Sequence, residues 1–169
     1  MTARTRAVEE AMRTTRHARS TIPAWARGTL LFVYGTLRPE ADTRMSTWLA
    51  ARAEHLGPAT TPGRLYDLGS YPGFVDARLP DEVVRGDLYR LRSPAAWRDL
   101  DDYENDGASG DAAPYVCVRR IVNLDTRERV DACLYLYREP LHGSRRIVSG
   151  DWLERIERKL MLEARSETR

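Results

Sequence analysis

Short apolar runs and alternations along the chain predict several strands. Leu30 to Val33 is continuously apolar and bulky, as expected of a buried strand. Val83 to Leu91 alternates apolar and polar positions and predicts a longer strand, in which Gly86 indicates a bulge or a close backbone approach. Two later runs, Tyr115 to Val122 and Val130 to Tyr137, flank a polar turn and therefore predict a hairpin.

Three other segments have the residue spacing and end signals of helices. Ala41 to Leu56 has apolar residues at helical intervals, and Gly57-Pro58 is predicted to end this helix. Ser93-Pro94 predicts the start of a second helix, because serine caps helix N-termini and proline fits the first helical position. A charged helix is predicted from Trp152 to Leu162, with Asp151 as its cap.

The remaining segments predict a further strand and two loops. Gly63 to Leu68 is predicted as a strand, and Gly69 to Phe74 as a loop held to a tight path by Tyr71-Pro72-Gly73. Asn105 to Ala113 contains only small and polar residues and is predicted to be a mobile flap. The mixed order of strands and helices favours an α+β fold with a curved or closed sheet over repeated βαβ units.

The turn after the first predicted strand has features of an anion-binding site. Tyr34-Gly35-Thr36 interrupts the apolar run, and Pro39 prevents the strand from resuming. Gly35 lets the backbone turn where a side chain would clash and leaves neighbouring N–H groups open. Such a turn, with a hydroxyl beside it, can hold an anionic group on backbone donors. The same residues also fit an ordinary strand end.

The second predicted helix carries a carboxylate on its apolar face. Trp97, Leu100 and Glu104 are spaced at i, i+3 and i+7, so they share one side of the helix. Asp101 and Asp102 fall on other sides and are predicted to be solvated. Glu104 is therefore predicted to end an inward-facing stripe, with an ordinary surface glutamate at a helix end as the alternative.

The composition predicts one globular domain with a basic extension. With 169 residues and 42% apolar content, the chain can bury a core without crosslinks. Residues 1–27 hold six arginines and two glutamates and are predicted to be a flexible or helical extension, whereas residues 28–169 form the predicted domain. No apolar run approaches the roughly 20 residues that span a bilayer. We expect a cytoplasmic protein without membrane contact, because the N-terminus lacks the apolar segment of a secretory signal.

The sequence gives little support for metal or nucleic-acid binding. Cys117 and Cys133 lie in separate predicted strands and could pair only if those strands were neighbours; we expect both to be reduced. They have no metal-ligating neighbours at a useful spacing, so we expect no metal and no cofactor. The basic extension lacks interleaved aromatic residues, so a nucleic-acid partner is disfavoured, and nucleic-acid binding through residues 1–27 stays open only as a weaker alternative. A monomer and a homodimer both remain open.

Two short motifs in this order resemble one protein family. Val33 to Arg38 (VYGTLR), followed by Leu100 to Asn105 (LDDYEN), resembles the γ-glutamylcyclotransferase-like (AIG2-like) superfamily. In that family a Tyr-Gly-Ser/Thr-Leu turn and a Leu-Asp-x-x-Glu-Gly helix end form one pocket. The Tyr71 to Gly73 loop and the late strand from Leu134 to Tyr137 are also similar. Asn105 departs from the usual glycine, so the turn out of the helix is expected to differ.

The resemblance implies both a fold and an activity. The fold would be a small mixed β-barrel with flanking helices. The activity would be the cyclisation of a γ-glutamyl group to 5-oxoproline with release of a free amine. By the match of motifs, Glu104 takes the place of the catalytic glutamate. The residues expected around a small-molecule γ-glutamyl substrate are Tyr34, Gly35, Thr36, Leu37, Tyr71 and Tyr135.

Elementary chemistry agrees with this expectation. The substrate's own α-amine attacks its γ-carbonyl, so the protein must mainly bring the two groups together. One carboxylate can take a proton from the attacking nitrogen and give one to the leaving nitrogen. Trp97 and Leu100 would raise the pKa of Glu104 towards neutrality by excluding water. The alternative is a catalytically inactive binding module of the same fold, with the basic arm contacting a partner.

Overall fold

The structure is a computed structural model that describes residues 30–105 and 113–167. These residues form an α+β fold, as the order of elements predicted. In chain order the elements are β1 (Leu30–Val33), a 3₁₀ helix (Pro39–Ala41), α1 (Arg44–Arg52), β2 (Ala53–Pro62), β3 (Arg64–Asp67), β4 (Pro72–Val75), β5 (Val83–Leu91), α2 (Ala95–Asn105), β6 (Tyr115–Leu124), β7 (Arg129–Tyr137), β8 (Arg145–Ile147) and α3 (Trp152–Glu167).

Five strands close into a barrel in the order β1-β5-β2-β6-β7. Hydrogen-bonded neighbours are antiparallel except β1 and β7, which run parallel with Leu31 opposite Cys133. The strands β4, β3 and β8 form a separate small sheet. The small mixed barrel with flanking helices, expected from the resemblance, is confirmed.

The first strand is apolar at every position because both of its faces are buried. Leu30 and Phe32 belong to the core inside the barrel. Leu31 and Val33 belong to a second core that includes Leu100 of α2 and residues of α1. The two cores explain why β1 shows a continuous apolar run where a one-sided strand would alternate.

Several predicted elements are confirmed with their boundaries nearly unchanged. Strand β5 spans the predicted residues, and a Cβ atom on Gly86 would lie 2.1 Å from the carbonyl oxygen of Val33. The glycine therefore allows the predicted close approach between β5 and β1. The strands β6 and β7 form the predicted hairpin. Asp151 caps α3 by accepting a hydrogen bond from Leu153 N at 3.0 Å.

The predicted helix from Ala41 to Leu56 is wrong in its second part. Helix α1 ends at Arg52, and Ala53–Pro62 forms strand β2, which pairs with β5 along its length. Gly57 lies in that strand beside a bulge, with a φ of 125°. Local sequence favours a helix here, but pairing with a strand distant in sequence outweighs that weak preference.

The small sheet was only partly predicted. Pro72–Val75 forms β4 where the sequence predicted a loop, because it pairs with β3 through contacts that local pattern does not reveal. The predicted extension, residues 1–27, and residues 106–112 of the predicted flap lie outside the described residues. Within the described ranges, no helix is both long and apolar enough to cross a lipid bilayer.

Candidate active site

A cavity of about 460 Å³ lies between the turn that follows β1 and the end of helix α2. The start of β4, the start of β6 and one residue of β7 complete its lining. The residues predicted for the site come from four separate parts of the chain, and the fold brings all of them to this cavity. They are Tyr34, Gly35, Thr36, Leu37, Tyr71, Glu104 and Tyr135.

The turn after β1 is closed by a hydrogen bond from Arg38 N to the carbonyl oxygen of Gly35, at 3.1 Å. A Cβ atom on Gly35 would lie 2.8 Å from Cγ of Pro72, so glycine lets the turn pack against β4. Within the described part of the chain, no acceptor contacts the N–H groups of Thr36 and Leu37. Both residues line the cavity, so these two amides are candidate donors for an anionic ligand there.

Glu104 is half-buried at the end of α2 and lines the cavity. Burial, with a smaller contribution from the nearby charge of Asp101, raises its pKa from an ordinary value of 4.5 to about 7. Leu100, one turn earlier on the same helix face, is fully buried. The upward pKa shift expected from an apolar setting is confirmed, and the carboxyl group can both accept and donate a proton near neutral pH.

Asp101 and Asp102 are not merely solvated, as the helical pattern predicted. Asp101 accepts a hydrogen bond from the hydroxyl of Tyr135 at 2.5 Å, and Asp102 lines the cavity. Residues 101 and 104 are three apart on α2 and therefore lie on the same side of the helix. The sequence pattern did not predict this contact, because the contact depends on how helix α2 packs against the barrel.

Two of the predicted tyrosines use their hydroxyl groups within the protein. Tyr34 is buried and donates a hydrogen bond to the carbonyl oxygen of Tyr135 at 2.5 Å. Burial, followed by the charge of Glu104, raises the pKa of Tyr34. Burial and the bond to Asp101 raise the pKa of Tyr135. Both tyrosines join the cavity wall to neighbouring elements, whereas Tyr71 is half-exposed at the rim.

Sequence reasoning missed two further tyrosines that line the cavity. Tyr103 on α2 lies 3.2 Å from Oγ1 of Thr36, hydroxyl to hydroxyl, and so joins the helix to the turn. Tyr115 on β6 donates a hydrogen bond to the carbonyl oxygen of Pro72 at 3.0 Å. Tyr103 directly precedes Glu104 in the second motif, which was the only local signal for it.

Arg38 does not line the cavity; its side chain instead links the turn to other elements of the fold. Its Nε donates to Asp87 on β5 at 2.7 Å, and one terminal nitrogen donates to Asp151 at 2.9 Å. Asp87 is 1% exposed and also contacts Nε2 of His55 at 2.8 Å. This buried ionic cluster ties the turn to the barrel and to the start of α3.

Known proteins share this fold and align with most of this chain. Residues 31–154 match the family described as gamma-glutamyl cyclotransferase, AIG2-like. The chain is 33% identical over 126 residues to the gamma-glutamylcyclotransferase family protein YtfP of Escherichia coli, covering 74% of this chain and 96% of that protein. The solution structure of YtfP from Escherichia coli superposes with a TM-score of 0.53 at 29% identity, over 75% of this chain and 97% of that one.

The crystal structure of YkqA from Bacillus subtilis superposes with a TM-score of 0.56 at 26% identity, over 75% of this chain and 40% of that one. The YkqA chain is therefore much longer than the shared region, whereas YtfP consists of little else. The family match, residues 31–154, includes the residues that line the cavity and all of the barrel except Leu30. On this evidence, the chain belongs to the gamma-glutamyl cyclotransferase, AIG2-like family.

Proposed function

We propose that the protein is an enzyme that cyclises a γ-glutamyl amine to 5-oxoproline and releases the free amine. The observation that carries this proposal is the position of Glu104, which lines the same cavity as the Tyr34–Leu37 turn. A proton-transfer group with a pKa of about 7 and an anion-binding turn are the two features that the reaction needs.

The turn is the proposed site for the substrate's α-carboxylate. The amides of Thr36 and Leu37 have no recorded protein acceptor among the described residues, so they can donate to a carboxylate without the help of a charged side chain. A carboxylate held there would extend the γ-glutamyl chain into the cavity towards Glu104. The cavity volume of about 460 Å³ is sufficient for a small ligand.

In the proposed reaction the substrate's neutral α-amine attacks the γ-carbonyl carbon, and a new C–N bond closes a five-membered ring. The Glu104 carboxylate takes a proton from the attacking nitrogen and then gives it to the leaving nitrogen. The original amide C–N bond breaks, so the products are 5-oxoproline and the amine. Protons balance, because the one removed from the nucleophile leaves on the product amine.

The charges around the cavity favour a leaving amine that carries no carboxylate. Among the described residues, the charged side chains that line it are Asp102 and Glu104, both acidic. Residues 106–112, which follow α2 in the chain, contain no lysine or arginine in the sequence. The rings of Tyr71, Tyr103 and Tyr115 can receive an apolar or cationic group. We therefore infer that γ-glutamyl alkylamines are better substrates than γ-glutamyl amino acids.

The function is tested by measuring 5-oxoproline released from γ-glutamylbutylamine and from γ-glutamylalanine. We expect turnover of both compounds, with kcat/KM at least about tenfold higher for the alkylamine. That ratio corresponds to a difference of roughly 1.4 kcal/mol in activation free energy. Thermal stabilisation by these compounds without 5-oxoproline release would instead favour the inactive binding module. If the compounds cause neither thermal stabilisation nor 5-oxoproline release, both proposed functions are rejected.

The pH dependence of turnover follows from the pKa of Glu104. The glutamate must be ionised to accept the first proton, so the enzyme's contribution to kcat/KM is expected to rise with pH through a midpoint near 7. The substrate's α-amine, which must be neutral to attack, adds its own separate pKa at higher pH. A pH–rate profile measures this midpoint. A midpoint near 4.5, the ordinary value for a glutamate, would contradict the assignment.

Replacing Asp101 with asparagine tests the source of this pKa. The amide oxygen of the new side chain can still accept the hydroxyl of Tyr135, but the negative charge that raises the pKa of Glu104 is removed. We expect the acid limb of kcat/KM to move down by roughly half to one pH unit. The matched control is Asp99→Asn on the exposed side of the same helix, which should leave the limb in place. An upward shift of the acid limb in the Asp101→Asn variant would contradict the assignment of part of the raised pKa to the charge of Asp101.

A further inference from the structure

Among the described residues, five tyrosines line the cavity: Tyr34, Tyr71, Tyr103, Tyr115 and Tyr135. Each tyrosine hydroxyl has a single proton to donate. Tyr34, Tyr115 and Tyr135 already donate theirs to acceptors within the protein. Tyr71 and Tyr103 are therefore the cavity tyrosines that remain as hydrogen-bond donors to a bound ligand.

Of these two tyrosines, Tyr103 is the one that contacts the turn after β1. Its hydroxyl oxygen lies 3.2 Å from Oγ1 of Thr36, whose backbone N–H is one of the two candidate donors for an anion. Tyr71 is instead half-exposed at the rim, and its ring meets that of Tyr115 edge-on, with ring centroids 6.3 Å apart. The hydroxyl of Tyr103 thus lies beside the position proposed for the substrate's α-carboxylate.

The contact between the two hydroxyls can be exchanged for contacts with a ligand. Hydroxyl-to-hydroxyl bonds are typically about 2.7–2.8 Å long, so the separation of 3.2 Å between Tyr103 and Thr36 is long. Either hydroxyl can be the donor, and both can rotate. Hydrogen bonds to a carboxylate are roughly twice as strong as those between neutral groups. A carboxylate at the turn would therefore attract both hydroxyl protons in place of the mutual bond.

The backbone of Thr36 is held independently of this contact. Its carbonyl oxygen accepts a hydrogen bond from Oγ1 of Thr43 at 2.7 Å, and Thr43 is the N-cap of α1. The turn therefore keeps a link to α1 when the hydroxyl of Tyr103 changes its partner. The two hydroxyls can turn towards a ligand while the amides of Thr36 and Leu37 stay in position.

We propose that Tyr103 is a further substrate-binding residue, whose hydroxyl binds the α-carboxylate of the γ-glutamyl compound together with the hydroxyl of Thr36; this role rests on the proposed function. In the free protein the two hydroxyls bind each other. In the complex each donates to the carboxylate, beside the amides of Thr36 and Leu37. The α-carboxylate forms and breaks no bond in the cyclisation, so Tyr103 contributes to binding and not to the proton transfers by Glu104.

The test is a calorimetric titration of γ-glutamylbutylamine into the full chain carrying Glu104→Gln, which is expected to bind this compound without turnover. Adding Tyr103→Phe deletes only the hydroxyl, and we expect Kd to rise roughly tenfold, as for the loss of one hydrogen bond to a charged group. The matched control is Tyr66→Phe on β3, outside the cavity lining, which should change Kd by less than about twofold. An unchanged Kd with Tyr103→Phe, or an equal rise with Tyr66→Phe, would overturn the role.

A double variant separates ligand binding from a purely structural contact. If each hydroxyl binds the carboxylate, Thr36→Val should also raise Kd roughly tenfold, and Thr36→Val combined with Tyr103→Phe should raise it roughly 100-fold. If the two hydroxyls only held α2 against the turn, either substitution alone would break that contact and the second would add nothing. A double variant that binds no more weakly than Tyr103→Phe alone would therefore refute the proposal.

A failure of the cyclisation proposal gives a different result. If the Glu104→Gln chain does not bind γ-glutamylbutylamine at all, the proposed function is rejected and the role of Tyr103 with it. If that chain binds the compound and Kd does not respond to Tyr103→Phe, only the role of Tyr103 is rejected. With Glu104 intact, Tyr103→Phe should raise KM roughly tenfold and change kcat by less than about twofold. A fall in kcat at unchanged KM would contradict the assignment to the α-carboxylate.

Discussion

Glu104→Gln is expected to lower 5-oxoproline release by at least about 1000-fold, because an amide can neither accept the proton of the attacking amine nor return it to the leaving nitrogen. The shape of the side chain is retained, so binding of the γ-glutamyl compound should change little. The kinetic measurement is kcat, beside a thermal-shift titration with γ-glutamylbutylamine. The matched control is Glu157→Gln on the exposed side of α3, which should keep full activity.

The same substitution is expected to stabilise the fold above neutral pH. The pKa of Glu104 is 4.5 in its ordinary state and about 7 in the folded protein, so between these values the folded state holds a proton that the unfolded state has lost. The stability associated with this proton is present below pH 4.5 and is lost as the pH rises through about 7. Glutamine does not titrate and avoids the loss.

The expected gain for Glu104→Gln is about 2 kcal/mol at roughly pH 8.5, which corresponds to a Tm rise of roughly 4–8 °C. At about pH 5, where the wild type is largely protonated, the two proteins should differ much less. Thermal unfolding at both pH values gives the comparison. A variant that is inactive but no more stable at high pH would show that Glu104 is not held in an environment that disfavours its charge.

Arg38→Met is expected to destabilise the protein by about 3 kcal/mol, because it leaves the buried carboxylate of Asp87 without its strongest partner. His55 still contacts Asp87, which limits the loss. The free energy of unfolding is measured by urea titration. Since Arg38 also fixes the turn, KM for the γ-glutamyl compound should rise more than kcat falls in the folded fraction.

Two comparisons separate the buried ionic cluster from a general effect of losing arginine. Arg158 forms an exposed ion pair with Glu154 on α3, so Arg158→Met should change stability by less than about 1 kcal/mol. Adding Asp87→Asn to Arg38→Met should recover part of the loss, since it removes the unpaired buried charge. If Arg38→Met and Arg158→Met lower the free energy of unfolding by the same amount, the buried ionic cluster does not anchor the turn.

The elements that the sequence predicted well are those whose signals are local. The apolar run of β1, the alternation of β5 and the Ser93-Pro94 start of α2 each lie within a few residues. Ala53 to Leu56 was predicted wrongly as part of a helix, because its state is decided by pairing with β5, which follows later in the chain. Residues whose own secondary-structure propensity is weak adopt the conformation that strand pairing with the rest of the fold stabilises.

In the candidate site, too, residues with local signals were predicted, and contacts between distant residues were not. The turn at Gly35 and the carboxylate of Glu104 were found because glycine, helical spacing and the family motifs mark them locally. Their supporting contacts join distant residues: Asp101 to Tyr135, and Arg38 to Asp87. No spacing rule reveals such pairs, because they depend on how helix α2 and the turn lie against the barrel.

The most direct test of the central claim is a crystal structure of Glu104→Gln with γ-glutamylbutylamine bound. The account predicts an intact substrate whose α-carboxylate contacts the amides of Thr36 and Leu37. Its γ-carbonyl and α-amine should lie within hydrogen-bond reach of the residue 104 side chain. A γ-glutamyl group bound away from that turn, or in the cavity with its reacting atoms remote from residue 104, would contradict it.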